Sequence, residues 1–378
     1  MSCLSPLLRI DYEKNKYRLE RILGSFFCDY ALKSLHNGAY YVSEVKFLKF
    51  FPDYINDDEL SSVVCKIGCG QCIECRLSKS REWALRIMLE AQAYEHNYFV
   101  TLTYNDDNLP LVDEFDPSTG EFRPDVPTLE KKALSGFVKR LRSKCEDKFG
   151  HSGIKFFGCG EYGELHQRSH YHICLMNMPD LRDDFIFFSR ENNITLYRSP
   201  FIESCWLDKE YRLPIGFVTV GELTWDSAAY TARYIMKKQL GKNSTKNLIK
   251  KNLALGFSDT VLREPEFVLM SRRPGIAHDY FESHADELYD HDCIVAKFGD
   301  RVYDVKPPIY FDRLYDNVYS SLDHARKMQQ IRIDRSEAGL LSERNKLLSS
   351  DCTRSDILAK AKGQVLRREK KYRKRNLE

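Results

Sequence analysis

Ser169-His170-Tyr171-His172-Ile173-Cys174-Leu175 is the stretch that decides how the rest of the chain is read. Two histidines flank an aromatic residue, and the segment runs on into apolar residues of strand-like composition. In a β-strand, residues i and i+2 share a face, so His170 and His172 present two imidazoles side by side, half of a metal site. Just upstream, Ile154-Lys155-Phe156-Phe157-Gly158-Cys159-Gly160-Glu161 reads as a second strand, followed by a polar connection from Tyr162 to Ser169. Strands this close in sequence pair as an antiparallel hairpin, which brings the Glu161 carboxylate beside the imidazoles. Two neutral imidazoles and one carboxylate, with positions left open, suit a divalent ion that also holds substrate oxygens. Glu164 and His166 in the connection are alternative ligands. The plain reading is two ordinary sheet histidines and a charge at a hairpin end.

A second constellation lies further on. Thr224 or Asp226 caps a helix that carries Ala228 through Lys238 and stops near Gly241. Tyr230 and Tyr234 stand at i and i+4 and share a face; Lys237 and Lys238 extend that side, and Arg233 adjoins Tyr230. Tyrosines so spaced often only pack. A phenol, with an ordinary pKa of about 10, acts as a nucleophile only with a cation to stabilise phenolate and a phosphate to attack. Lysines supply positive charge around such a phosphate, and two equivalent tyrosines permit two successive transfers.

Around these motifs the chain reads as α+β. Leu77 to Tyr94 is an amphipathic helix, with Trp83, Ile87, Ala91 and Tyr94 on its apolar stripe. Tyr98 to Tyr104 alternates as a strand. A polar loop covers about Leu109 to Pro127, and Thr128 caps a helix to about Cys145 with Leu134, Phe137, Val138 and Leu141 inward. Residues 177–214 are a long polar and aromatic insertion; Ile215 to Gly221 and Glu264 to Met270 add strands. The organisation expected is an N-terminal extension over 1–60, a domain over 61–285 and a C-terminal region over 286–378, helical and basic at its end.

Composition bounds the function. Of 378 residues, 43% are hydrophobic and 30% charged, which describes a globular chain. No run of about 18 apolar residues appears, so no membrane partner is expected, and the N-terminus lacks a secretory pattern. Net charge is only +3, but residues 361–378 carry eight Lys and Arg against two Glu, a basic block suited to phosphate backbones. Twelve cysteines without an export signal point to reduced thiols in a cytoplasm. Four crowd together as Cys65, Cys69, Cys72 and Cys75. They can supply thiolates to a tetrahedral zinc, although the tight spacing equally fits buried reduced cysteines or a redox-sensitive cluster. No P-loop is present.

The order Phe99-Val100-Thr101-Leu102-Thr103-Tyr104, His170-Tyr171-His172 and Tyr230-x-x-x-Tyr234-x-x-Lys237-Lys238 resembles the three motifs of HUH endonucleases. Cys69-Gly70-Gln71-Cys72-Ile73-Glu74-Cys75-Arg76, Cys159-Gly160-Glu161-Tyr162-Gly163 and Ser271-Arg272-Arg273-Pro274-Gly275-Ile276 sharpen it to the gokushovirus-type replication initiators of Microviridae. The resemblance covers about residues 65–280. It implies a central antiparallel sheet flanked by helices, with helical extensions at both ends. It also implies a rolling-circle initiator that nicks single-stranded origin DNA through a 5′-phosphotyrosine on Tyr230 or Tyr234 and later rejoins the strand. His170, His172 and, by position, Glu161 would hold Mg²⁺ or Mn²⁺, with Lys237, Lys238 and Arg233 against DNA. Lacking a P-loop, such a protein would depend on a host helicase and polymerase in the bacterial cytoplasm. The rivals are a transposase or plasmid relaxase of the same fold, and a non-catalytic, zinc-stabilised nucleic-acid-binding protein whose tyrosines stack bases.

Overall fold

A seven-stranded sheet carries every residue of the histidine motif. The computed structural model describes residues 7–11, 16–24, 35–36, 39–59, 64–70, 72–115, 121–163, 166–191, 194–208, 212–237, 263–298, 301–318 and scattered positions from 330 to 367. The chain divides into two units, Met1–Ser78 with Val318–Glu378, and Lys79–Asn317. The basic end, residues 368–378, lies outside the described residues.

The smaller unit has a four-stranded sheet built from β1 (Leu7–Asp11), β2 (Leu35–His36), β3 (Ala39–Ser43) and β4 (Cys65–Ile67), in the order β2-β3-β1-β4. Leu8, Ile10, Leu19, Tyr40, Phe47 and Tyr54 form its core. Buried Glu44 accepts from the Tyr54 hydroxyl at 2.5 Å and pairs with Lys66 at 3.5 Å.

In the larger unit, β5 (Tyr98–Tyr104) is followed by a separate hairpin, β6 (Leu111–Phe115) and β7 (Phe122–Pro127). The large sheet takes β5 together with β8 (Lys155–Tyr162), β9 (Ser169–Met176), β10 (Ile186–Glu191), β11 (Ile194–Arg198), β12 (Gly216–Glu222) and β13 (Phe267–Met270). Their order is β10-β11-β12-β5-β9-β8-β13, and all neighbouring pairs are antiparallel. Alternation along β5 sends Tyr98, Val100, Leu102 and Tyr104 to one face. There they join Tyr171, Ile173, Leu175, Val218 and Val220, sealed by the helix Lys131–Phe149 through Leu134, Phe137, Val138 and Leu141. Burial of this face follows from apolar area removed from water on both surfaces. The other face packs Phe157, Cys174 and Met176 against Ala84, Ile87 and Ala91 of one helix and Ala228 and Ala232 of another. The result is the expected α+β class, a central antiparallel sheet flanked by helices.

Local differences from the sequence reading have physical causes. The helix expected over Leu77–Tyr94 spans Ile73–Ala91. It starts early because the Cys72 carbonyl accepts the Arg76 N–H at 3.0 Å. It stops early because the Asn97 side chain takes the carbonyls of Ala91 and Tyr94 at 3.0 and 2.8 Å. Thr128 does not cap the next helix: its hydroxyl accepts from the Glu264 N–H at 3.1 Å, and Glu130 is the N-cap without a side-chain bond. The loop expected over 109–127 contains the β6–β7 hairpin, largely exposed and therefore without an apolar period to read. The insertion 177–214 likewise holds β10, β11 and a short helix, Pro200–Glu203, capped by Ser199.

Ser271-Arg272-Arg273-Pro274-Gly275-Ile276 turns out to be a joint. Ser271 exchanges hydrogen bonds with the Phe156 backbone at 2.9 and 3.0 Å. Arg86, sandwiched between Trp83 and Tyr310, donates to the Ile276 carbonyl at 2.9 Å. Lys155 is buried between Glu90 and Asp279, 2.8 Å from each. These bonds tie the helix behind the sheet to β8, the strand that carries Glu161.

Candidate active site

The hairpin register builds the site. Across β8 and β9, Glu161 faces His170 and Cys159 faces His172; across β9 and β5, His170 faces Thr103 and His172 faces Thr101. Paired residues in a ladder share a face, so one row runs Glu161, His170, Thr103 and, on β12, Phe217. The next runs Cys159, His172, Thr101 and Thr219. Tyr171, between the histidines, points into the opposite core, where its hydroxyl lies 3.1 Å from that of Tyr104 and accepts from the Glu130 N–H at 3.0 Å. Gly160 is needed next to the carboxylate: a Cβ there would stand 2.9–3.0 Å from Phe267 and Leu129 atoms that pack on the sheet.

One oxygen is the focus. Glu161 Oε1 lies 2.5 Å from His170 Nε2, 3.1 Å from His172 Nε2 and 3.0 Å from the Tyr230 hydroxyl, which donates to it. The ligand atoms of Glu161, His170 and His172 all lie within 4.8 Å of one another. The outer nitrogens are engaged as well. His170 Nδ1 is 3.1 Å from the Arg168 carbonyl, which can only accept, so Nδ1 carries a proton and the neutral ring turns its Nε2 lone pair toward Glu161. His172 Nδ1 meets the Thr101 hydroxyl at 2.9 Å. Phe99 stacks on the His172 ring with planes 7° apart, and Tyr230 meets it edge-on at 5.1 Å.

Burial sharpens the electrostatics. Burial pushes the Glu161 carboxyl up, but hydrogen bonds from both imidazoles outweigh it and hold the group at about 2. Burial pushes the His172 imidazole down, against the pull of Glu161. Burial and then the Glu161 charge push the Tyr230 phenol well above its ordinary value, with Arg233, 5.5 Å from the ring, pulling the other way. Glu161 Oε2 is buried and has no hydrogen-bond partner among the described residues. Nitrogen lone pairs facing a carboxylate, outer nitrogens already bonded to protein groups, and an orphaned carboxylate oxygen together fit a small divalent cation.

The sequence-predicted residues divide accordingly. Glu161, His170, His172, Tyr230 and Arg233 come together. The side chains of Tyr234 and Lys237, and the whole of Lys238, lie outside the described residues, as does Glu164; His166 is exposed. The tyrosine helix spans Trp225–Lys237, opened by reciprocal bonds between Thr224 and Ser227 at 2.9 and 3.3 Å. Cys69, Cys72 and Cys75 converge in the smaller unit, whereas Cys65 is exposed on β4 and is not in that group. Sequence reasoning missed Thr101, Thr103 and Phe217. Alternation within Tyr98–Tyr104 would have placed both threonines on one face, but only the register puts them beside the histidines. Phe217 is 65% exposed on the site face, an unusual position for a large aromatic side chain.

Residues 97–239 match a family of replication-associated proteins typified by ORF2. The Replication-associated protein ORF2 of Spiroplasma virus 4 is 34% identical over 250 residues, 65% of this chain and 67% of that protein. The chain belongs to this replication-associated protein family. The Replication-associated protein VP4 of Bdellovibrio phage phiMH2K is 33% identical over 174 residues, 45% of this chain and 48% of that one. The Replication-associated protein ORF4 of Chlamydia phage 1 is 27% identical over 175 residues, 46% and 38% of the two chains. No solved structure matches. The family span contains Glu161, both histidines and both tyrosines, but not the cysteine cluster. No helix among the described residues is long and apolar enough to cross a membrane.

Proposed function

We propose that this replication-associated protein starts rolling-circle replication of a single-stranded-DNA phage as a site-specific nickase of the HUH type. The observation that carries the reading is the convergence of the Tyr230 hydroxyl and two imidazole Nε2 atoms on one oxygen of Glu161, at 3.0, 3.1 and 2.5 Å. A phenol held beside a two-histidine, one-carboxylate set is an arrangement for phosphoryl transfer to tyrosine.

In this reading the Tyr230 phenol oxygen attacks the origin phosphodiester. The new P–O bond forms the 5′-phosphotyrosine, the bond to the 3′ oxygen breaks, and the phenol's proton is balanced by protonation of that oxygen to the 3′-hydroxyl. The phosphodiester energy is retained, so rejoining needs no nucleotide. Tyr234, on the same helix, makes the second transfer. His170, His172 and Glu161 hold Mg²⁺ or Mn²⁺, which would polarise the scissile phosphate and offset the carboxylate charge that disfavours phenolate. Arg233, Lys237 and Lys238 face the DNA backbone. Phe217, exposed on the site face in the same row as His170, suits stacking of an unpaired base, which supports a single-stranded substrate. Host helicase and polymerase would unwind and extend in the bacterial cytoplasm.

The test is a nicking assay on single-stranded origin DNA with Mg²⁺ or Mn²⁺. A covalent protein–DNA adduct is expected, absent from Tyr230→Phe/Tyr234→Phe. Binding without any adduct would favour the non-catalytic reading, and an adduct that survives the double substitution would refute the nucleophile assignment.

A further inference from the structure

Cys69, Cys72 and Cys75 are not used by the tyrosine chemistry, and the fold brings their sulfurs within 4.8 Å of one another. The arrangement is built by local backbone. Gly70 adopts φ +70°, the left-handed conformation that lets the chain turn back between the first two cysteines. The Cys72 N–H then donates to Cys69 Sγ at 3.2 Å, a bond that favours sulfur as thiolate. The Cys72 carbonyl accepts the Arg76 N–H, so Cys72 is the N-cap of the helix Ile73–Ala91 and Cys75 lies in its first turn. Negative charge is favoured at a helix N-terminus. All three residues are half-buried, open enough to exchange an ion.

The spacing selects the kind of ion. A tetrahedral zinc with Zn–S bonds of about 2.3 Å holds its sulfurs about 3.8 Å apart, within the observed convergence. An iron–sulfur cubane places each cysteine on a different iron, which demands a wider set of thiols. Soft thiolates prefer zinc among the abundant divalent ions. Cys65 is exposed on β4, opposite Arg9, and does not join the group.

We propose that Cys69, Cys72 and Cys75 bind one zinc ion as a three-thiolate site that pins the connection from β4 to the helix Ile73–Ala91, with the fourth position taken by a small exogenous ligand and not by Cys65. The site is separate from the proposed nicking chemistry and stands or falls on metal content. Full-length protein purified without chelator should contain about one equivalent of zinc. Cys72→Ser should lose it and Cys65→Ser keep it, and cobalt exchanged into the wild type should show thiolate-to-cobalt charge transfer. Because Cys72→Ser could fail to fold, the wild type should also be titrated with an organomercurial, and zinc release should track modification of three thiols. Protein that neither carries nor takes up zinc, zinc lost from Cys65→Ser, release out of step with those thiols, or iron with inorganic sulfide in its place would each overturn the assignment.

Discussion

The two candidate metal groups are built in opposite ways. Cys69, Cys72 and Cys75 fall within seven consecutive residues, joined by one turn and one helix N-terminus. Glu161, His170 and His172 depend on the pairing of β8 with β9, while Thr101 and Tyr230 arrive from a third strand and a helix. The first can form as soon as its own segment does. The second exists only when register is correct, because a slip of one residue would turn both imidazoles to the other face of the sheet. Local spacing is enough to gather soft ligands; a site that must also hold a phosphate and a nucleophile needs a scaffold.

The hardest test of that contrast is Tyr230→Phe. It should lower adduct formation by at least about 10³-fold in gel assays of nicking while leaving zinc content unchanged. Joint loss would mean the two groups are not independent. Thr101→Val removes the hydroxyl bonded to His172 Nδ1 and should weaken Mn²⁺ activation by about 10–100-fold, the usual cost of losing a partner behind a metal ligand. An unchanged metal dependence would show that β5 contributes only packing. Phe217→Ala should weaken binding of single-stranded DNA by about 1–3 kcal/mol per stacked base, measured by fluorescence anisotropy, with little effect on duplex.

The smallest effect expected is in acid. Glu161 has its carboxyl depressed to about 2 in the fold, below the unfolded value of about 4.3. Its contribution to stability is therefore complete above about pH 4.3 and fades as pH falls toward 2. In metal-free protein, the difference in urea stability between wild type and Glu161→Gln should shrink across that window. The cysteine site should respond earlier, since thiolates bind zinc in competition with protons. A Glu161→Gln difference that stays constant with pH would show that the imidazoles do not hold the carboxylate charged.

Much of this was legible before any coordinates. Period-two alternation marked Tyr98–Tyr104 with its observed bounds, since a strand buried on one face must alternate. The short connection between Glu161 and His170 announced a hairpin, and the register pairs those two residues. Exposed hairpins were not legible: β6 and β7 pair through backbone bonds, with side chains that carry no apolar period. Thr128 misled because its hydroxyl finds a partner 136 residues away, which no local rule contains.

By itself the sequence determined the ligand types, the pairing of His170 with His172 on one face, and the tyrosine spacing, because strand and helix periods are fixed by backbone geometry. Only the tertiary structure decided that Glu161 Oε1 is the common partner of both imidazoles and the Tyr230 phenol, that Thr101 backs His172, and that Cys65 stays apart from the other three thiols. These are contacts between elements distant in sequence, or between side chains whose direction depends on packing. Burial also sets the charge states: the same carboxylate and phenol in water would titrate near their ordinary values, and it is their removal from solvent next to one another that pushes them apart.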